Sequence, residues 1–283
     1  MNDKYYENKV AVVTGAGGTL CSEISLHLAE KGAITILIGR TKEKLQKTAD
    51  KIEKVGGKCV IFSADVTDEA KIAEIGERIK KEYGACRFLI NGAGGNNIKA
   101  MTTNIQFDPH ELSEDKPDDM RGFFNLDMSA FENVLKVNTM GSVIPTYVFA
   151  RQMAESGEGC IINFASMNSY RPLTRVAPYA MSKAAVVNMT QWFATYLATA
   201  NIRVNAIAPG FFVNERSINY LGTPEIGLTA RGQNVINHTP MAKFGKASDL
   251  LGAVDFLTDD RMSAFVTGIT LAVDGGFLSH SGI

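Results

Sequence analysis

Tyr179 and Lys183 stand four residues apart at the start of a predicted helix, so their side chains share one face. A free phenol ionises near ~10, too high for efficient proton exchange at neutral pH. An ammonium one turn away favours the phenolate and draws that value down. The pair is a candidate acid–base couple, although a Tyr-x-x-x-Lys spacing also arises as an ordinary exposed helix pair. Ser166 lies thirteen residues earlier, just past the apolar run Cys160–Phe164. A hydroxyl there can donate to a substrate oxygen as negative charge grows on it. Asn138, in Val137-Asn138-Thr139-Met140-Gly141, sits mid-helix, where asparagine is a poor helix former and a buried amide needs a partner. That partner is backbone or water; a water held beside Lys183 would relay protons outward, and the two readings are compatible.

What must position these groups is an alternation of short and long segments. Apolar, β-rich runs occur at Val10–Val13, Ile34–Ile38, Cys59–Phe62, Phe88–Ile90, Cys160–Phe164, Val204–Ile207 and Ile269–Val273. Runs this continuous suit a parallel sheet covered on both faces. Amphipathic stretches lie between them at Leu20–Lys31, Lys42–Val55, Glu69–Tyr83, Ala184–Ala200 and Ser248–Thr258. The pattern predicts one α/β domain over residues 1–283, a Rossmann-type doubly wound parallel sheet of about seven strands with helices on both faces. Two long, polar or glycine- and proline-punctuated stretches, Gly94–Ala130 and Gly210–Phe244, break the rhythm as substrate-side insertions (about 95–130 and 210–244), the second read as a lid.

Directly after the first strand comes Thr14-Gly15-Ala16-Gly17-Gly18-Thr19-Leu20-Cys21, leading into a helix. Strand, glycine turn and helix in the first crossover form a cradle for a dinucleotide pyrophosphate, with backbone N–H groups and the helix dipole facing the anion. The second strand ends in Gly39-Arg40, with a cation where NAD(H) binders place an acid, so the reading leans to NADP(H) over NAD(H). Asp65, followed by Val66, is placed to meet the adenine edge; the alternative is a turn aspartate capping with Thr67.

Composition narrows the partners. A net charge of -1 and a pI near 6.4 give no footing for nucleic acid or an anionic membrane. No apolar run approaches the ~20 residues of a spanning helix, and the polar MNDKYYENKV start lacks a signal-peptide core; the expected location is cytoplasmic. Cys21, Cys59, Cys86 and Cys160, like His27, His110, His238 and His280, are too scattered for a metal site.

With these segments in order, the chain resembles the short-chain dehydrogenase/reductase family over essentially its whole length. The resemblance rests on Thr14–Cys21, Asn91-Gly92-Ala93-Gly94, Asn138, Ser166, Tyr179-x-x-x-Lys183, Pro209-Gly210 and Val273-Asp274-Gly275-Gly276. It implies an oxidoreductase in which Asn138, Ser166, Tyr179 and Lys183 form the catalytic tetrad. It further implies that Asn91, Ala93 and Gly94 serve the adenosine side and Pro209, Gly210 and Phe212 the nicotinamide side. Thr19 and Cys21 depart from the usual second and third glycines of the turn, and Asn214 stands where threonine is common. Asn91–Asn97, Ser166-Met167-Asn168, Ala208–Phe212 and the closing Asp274-Gly275-Gly276-Phe277 are similar to the D-mannonate oxidoreductase (fructuronate reductase) branch, which implies interconversion of D-fructuronate and D-mannonate. A sugar acid needs a cation and hydroxyl partners; Arg171 and Arg175, or loop charges in solvent on the plainer reading, and Asn96, Asn97 and Asn168 at the rim could supply them. Another sugar or polyol dehydrogenase such as gluconate 5-dehydrogenase, an acyl-carrier-protein ketoreductase and a non-catalytic nucleotide-binding regulator are the alternatives. Family likeness also implies a homotetramer.

Overall fold

The computed structural model describes residues 4–214, 217–223 and 225–281. In chain order the elements are β1 (Val10–Thr14), α1 (Thr19–Glu30), β2 (Ile34–Gly39), α2 (Lys42–Lys54), β3 (Lys58–Ser63), α3 (Glu69–Tyr83), β4 (Cys86–Asn91), α4 (Met128–Ser156), β5 (Gly159–Phe164), α5 (Ala177–Leu197), β6 (Ile202–Pro209), α6 (Ile218–Leu221), β7 (Gly222–Thr223), β8 (Gly227–Leu228), α7 (Ala230–Asn237), α8 (Leu251–Thr258), α9 (Asp260–Ser263) and β9 (Thr270–Val273). All seven expected strands form one sheet of order β3-β2-β1-β4-β5-β6-β9, every pair parallel.

Side chains of each inner strand alternate between two cores. Ala11 and Val13 pack with Ile24 and Leu28 of α1 and Val254 and Leu257 of α8. Val10 and Val12 pack on the opposite face with Ile72 and Ile79 of α3 and Phe149 and Met153 of α4. Both faces are covered, so β1, β4, β5 and β6 are buried end to end. The order in which successive strands are laid down reverses across the parallel β1–β4 pair, which opens a crevice at the carboxyl ends of these strands.

One helix has no amphipathic stretch to mark it: α4, around Asn138, spans Met128–Ser156. It is apolar on opposed sides, with Ile144 and Phe149 buried and Met140 and Tyr147 exposed, and it carries Pro145 internally, so no single stripe marks it. The helix expected to begin at Tyr179 and Lys183 is α5, which starts at Ala177, ahead of the amphipathic stretch Ala184–Ala200, with proline in its first turn. The 94–130 stretch holds short turns at Ile98–Ala100, Pro109–Leu112 and Phe123–Asn125. The 210–244 stretch is more ordered than a plain loop, carrying α6, the β7–β8 hairpin and α7. Among the described residues no helix is long and apolar enough to cross a membrane.

Phe149 is fully buried in the core between α3, α4 and the sheet. Phe149→Ala is expected to lower the unfolding free energy by about 3–5 kcal/mol in a urea titration. A loss close to zero would show that this face is not packed as described.

Candidate active site

The turn after β1 depends on close backbone approach. Gly15 has φ 67°, and a Cβ there would lie 2.7 Å from the Gly92 carbonyl oxygen. The Thr14 hydroxyl, buried beneath, accepts from the N–H groups of Gly92 (3.1 Å) and Ala93 (3.2 Å) and ties this turn to the end of β4. α1 then begins with Gly18 as N-cap and no side chain bonded to its first N–H groups, leaving donors that suit an anion. Gly15, Gly17, Gly18, Thr19 and Leu20 line one cleft with Arg40, Asp65, Val66, Ala93 and Gly94.

Cys21 lines the same cleft. A Cβ on Gly92 would fall 2.0 Å from its sulfur, so the bulk gained at 21 is accommodated by the bare position at 92. Burial pushes the Cys21 thiol up to about 12, the nearby Lys183 charge opposing. Asp65 both lines the cleft and takes the turn role: its Oδ1 accepts from the Thr67 N–H (2.9 Å) and hydroxyl (2.8 Å). Burial raises its carboxyl, but those bonds prevail and hold it below the usual carboxylate range. Lys44 and Asn214 also line the cleft. Lys44 reads in sequence as one more charge on α2; only the fold brings its Cβ to 2.8 Å from where a Cβ on Gly17 would sit.

Other expected cofactor residues stand in the framework. The Asn91 carboxamide donates to Thr146 Oγ1 (3.0 Å) and Asn163 Oδ1 (2.9 Å) within the sheet. Pro209 ends β6, and the Gly210 N–H donates to the Val273 carbonyl (3.0 Å). Phe212 is buried and bridges to Gly245.

The tetrad candidates converge at the ends of β5 and α5. Lys183 Nζ donates to the Phe164 carbonyl at 2.6 Å and lies 5.6 Å from the centre of the Tyr179 ring. Tyr179 hydrogen-bonds Ser166. Ser166 Oγ also accepts from the Asn168 N–H (3.1 Å), and Ser169 links the Ser166 N–H (3.3 Å) to the Lys183 carbonyl (2.6 Å). In the chain itself, burial outweighs the influence expected of Lys183 on the phenol. Burial holds Tyr179 above its ordinary value, with only the Ser166 bond opposing, and burial lowers Lys183 to about 8. The cause is packing: Tyr179 and Phe131 sit on Ala100, Ala130 and Val134, so the insertion and the start of α4 strip water from the ring.

Asn138 is wholly buried, and its amide takes the backbone partners. Oδ1 accepts from the Gly95 N–H (3.0 Å), while Nδ2 donates to the carbonyls of Gly95 (2.7 Å) and Val134 (2.8 Å). The rim asparagines also shape loops. Asn96 accepts from the Asn97 N–H (2.9 Å), Asn97 caps the Ile98–Ala100 turn through the Lys99 N–H (3.0 Å), and buried Asn168 accepts from the Leu173 N–H (2.9 Å). Arg175 is half-buried with φ 75°, whereas Arg171 is exposed and donates to the His280 carbonyl.

A family model for short chain dehydrogenases matches residues 9–220. The chain belongs to that family. It is therefore a dehydrogenase-type oxidoreductase acting between CH–OH and ketone groups. An uncharacterized oxidoreductase of Haemophilus influenzae is 43% identical over 277 residues, 98% of this chain and 95% of its own. A crystal structure of a candidate D-mannonate oxidoreductase from Haemophilus influenza with bound NAD superposes with a TM-score of 0.92 at 41% identity, covering 100% of this chain and 99% of that one. A gluconate 5-dehydrogenase from Burkholderia cenocepacia in complex with NADP and tartrate gives 0.81 at 27% identity, with 98% of each chain covered.

Asn138→Ala removes the amide that pins Gly95 to α4 and leaves buried backbone groups unpaired. It should lower the unfolding free energy by about 1–3 kcal/mol in a denaturant titration. Unchanged stability would mean that the 94–95 loop is held by something else.

Proposed function

We propose that this enzyme interconverts the ketone of a sugar acid and the matching hydroxy acid, D-fructuronate and D-mannonate being the preferred pair, as a cytoplasmic homotetramer using NADP(H) or NAD(H). The observation that carries the chemistry is the Tyr179 hydroxyl, bonded to Ser166 one turn from Lys183, whose ammonium is anchored on Phe164, a residue that lines the glycine-rich cleft. The uncapped N–H groups of α1 fit the pyrophosphate of a dinucleotide. Arg40 and Lys44 in the cleft favour a 2′-phosphate and hence NADP(H), while the 41%-identical Haemophilus protein carries NAD. Bound there, the nicotinamide supplies the hydride.

In reduction, Tyr179 gives its proton to the carbonyl oxygen as charge builds on it. At neutral pH the phenol is protonated and can donate. Ser166 donates to the same oxygen and fixes its position. Lys183, anchored on the Phe164 carbonyl, presents its remaining N–H groups to a ribose and supplies positive charge for the phenolate that Tyr179 becomes. Asn138 holds the Gly94–Gly95 wall beside Lys183. Asn96, Asn97 and Asn168 are the proposed hydroxyl partners and Arg175 the proposed carboxylate partner. The branch likeness and the Haemophilus structure support D-fructuronate; the likeness to gluconate 5-dehydrogenase favours a 5-keto hexonate as the second reading. Tyr147, Met181, Trp192 and Tyr196, exposed on α4 and α5, support association of copies through those helices.

The test is oxidation of NADPH and NADH by the purified enzyme with D-fructuronate, 5-keto-D-gluconate and an acetoacetyl thioester. The largest kcat/KM is expected for D-fructuronate, and NADPH is expected to outperform NADH. Turnover of the thioester alone would contradict the sugar-acid reading.

A further inference from the structure

Residues 274–280, beyond β9, touch both loops that border the substrate side. Against the 210–244 stretch the fit is close. Gly275 and Gly276 have φ 64° and 89°, and a Cβ on them would fall 2.8 Å from Thr239 Cγ2 and 3.1 Å from Pro240 Cγ. The Met241 N–H donates to the Gly275 carbonyl at 3.0 Å. The Phe277 ring meets the Phe211 ring edge-on, with centroids 5.4 Å apart. The His280 ring stands 6.0 Å from that of His238, which caps the end of α7. The segment also fixes its own turn, since the Asp274 carboxylate accepts from the N–H groups of Gly276 (2.9 Å) and Leu278 (2.8 Å). On its other side it reaches Arg171, whose guanidinium donates to the His280 carbonyl. Arg171 directly follows the turn that Ser166 opens, and its own N–H donates to the Met167 carbonyl at 3.0 Å. What holds the Arg171 side chain therefore bears on the turn beside the Ser166 hydroxyl.

We propose that residues 274–280 form a strap coupling the lid to the Ser166–Tyr179 segment, with Arg171 as its clasp. Arg171 is then a positioning residue that sets how the two loops stand around the substrate, and not a partner of the substrate's carboxylate. The ring pair at Phe211, the backbone bond at Met241 and the guanidinium at His280 are separate attachments of one short segment, so loosening one end frees the other. The coupling holds for any ketone the enzyme reduces.

The coupling is read by amide hydrogen exchange with mass spectrometry, in saturating NADPH, on the wild type, Arg171→Ala, Phe277→Ala and the double variant. Arg171→Ala should speed exchange about 10-fold in the peptide holding Met241, and Phe277→Ala should do the same in the peptide holding Leu173. Each effect lies at the far end of the strap from its substitution. The double variant should exchange little faster than either single one. Arg171→Lys, which can still donate to a carbonyl, should restore protection and separates the clasp from a general folding defect. With D-fructuronate, Arg171→Ala should raise KM by about 10-fold with a smaller change in kcat, and should add little in the Phe277→Ala background. Exchange altered only beside each substitution, or effects that multiply in the double variant, would overturn the proposal. An equal rise in KM from Arg171→Ala in both backgrounds would assign Arg171 to the substrate and overturn it too. Far-end exchange changes in an enzyme that turns over no sugar acid would leave the strap standing and overturn only the proposed reaction.

Discussion

The bond from the Lys183 ammonium to the Phe164 carbonyl, 2.6 Å long and buried, is the joint on which the site depends. It fastens α5 to the carboxyl end of β5 and thereby sets Tyr179, one turn earlier, against Ser166 at the same strand end. A buried cation is costly unless its hydrogen-bond demand is met. Here a strand-end carbonyl meets part of it, and the ammonium that results is easier to deprotonate than an exposed lysine. The remaining donors are what a ribose and a developing phenolate can use.

Around that joint the fold builds two walls. The β1 turn and the end of β4 make one, clasped by Thr14 and closed over by Asn138 from α4. The 94–130 insertion makes the other, setting Ala100 beside the Tyr179 ring and Thr102 on the Arg175 carbonyl. The insertion thus helps to bury the phenol ring. A tyrosine in water would exchange protons with solvent, whereas one packed against alanine and valine meets chiefly what Ser166 and a substrate present to it.

Much of this was legible from residue types. The strands announced themselves because both of their faces are covered, so Val10–Thr14 and its neighbours are apolar without interruption. The Tyr-x-x-x-Lys spacing and the glycine turn located the site because each needs a fixed separation along one element. Other features depend on tertiary packing that no spacing records. α4 hid behind apolar residues on opposed sides and an internal proline. The direction of the Tyr179 shift follows from a wall supplied by residues 100, 130 and 134. The backbone partners of the Asn138 amide come from the approach of Gly95. Lys44 reads as an ordinary helix charge until the chain folds it beside Gly17.

The account's central claim, that the Tyr179 hydroxyl is the proton donor, is tested most directly by a single substitution that deletes only that oxygen. In Tyr179→Phe, cofactor affinity measured by NADPH fluorescence should stay near wild type while turnover of the sugar acid falls by about 10²–10⁴-fold. A folded Tyr179→Phe enzyme that keeps wild-type turnover would contradict the account.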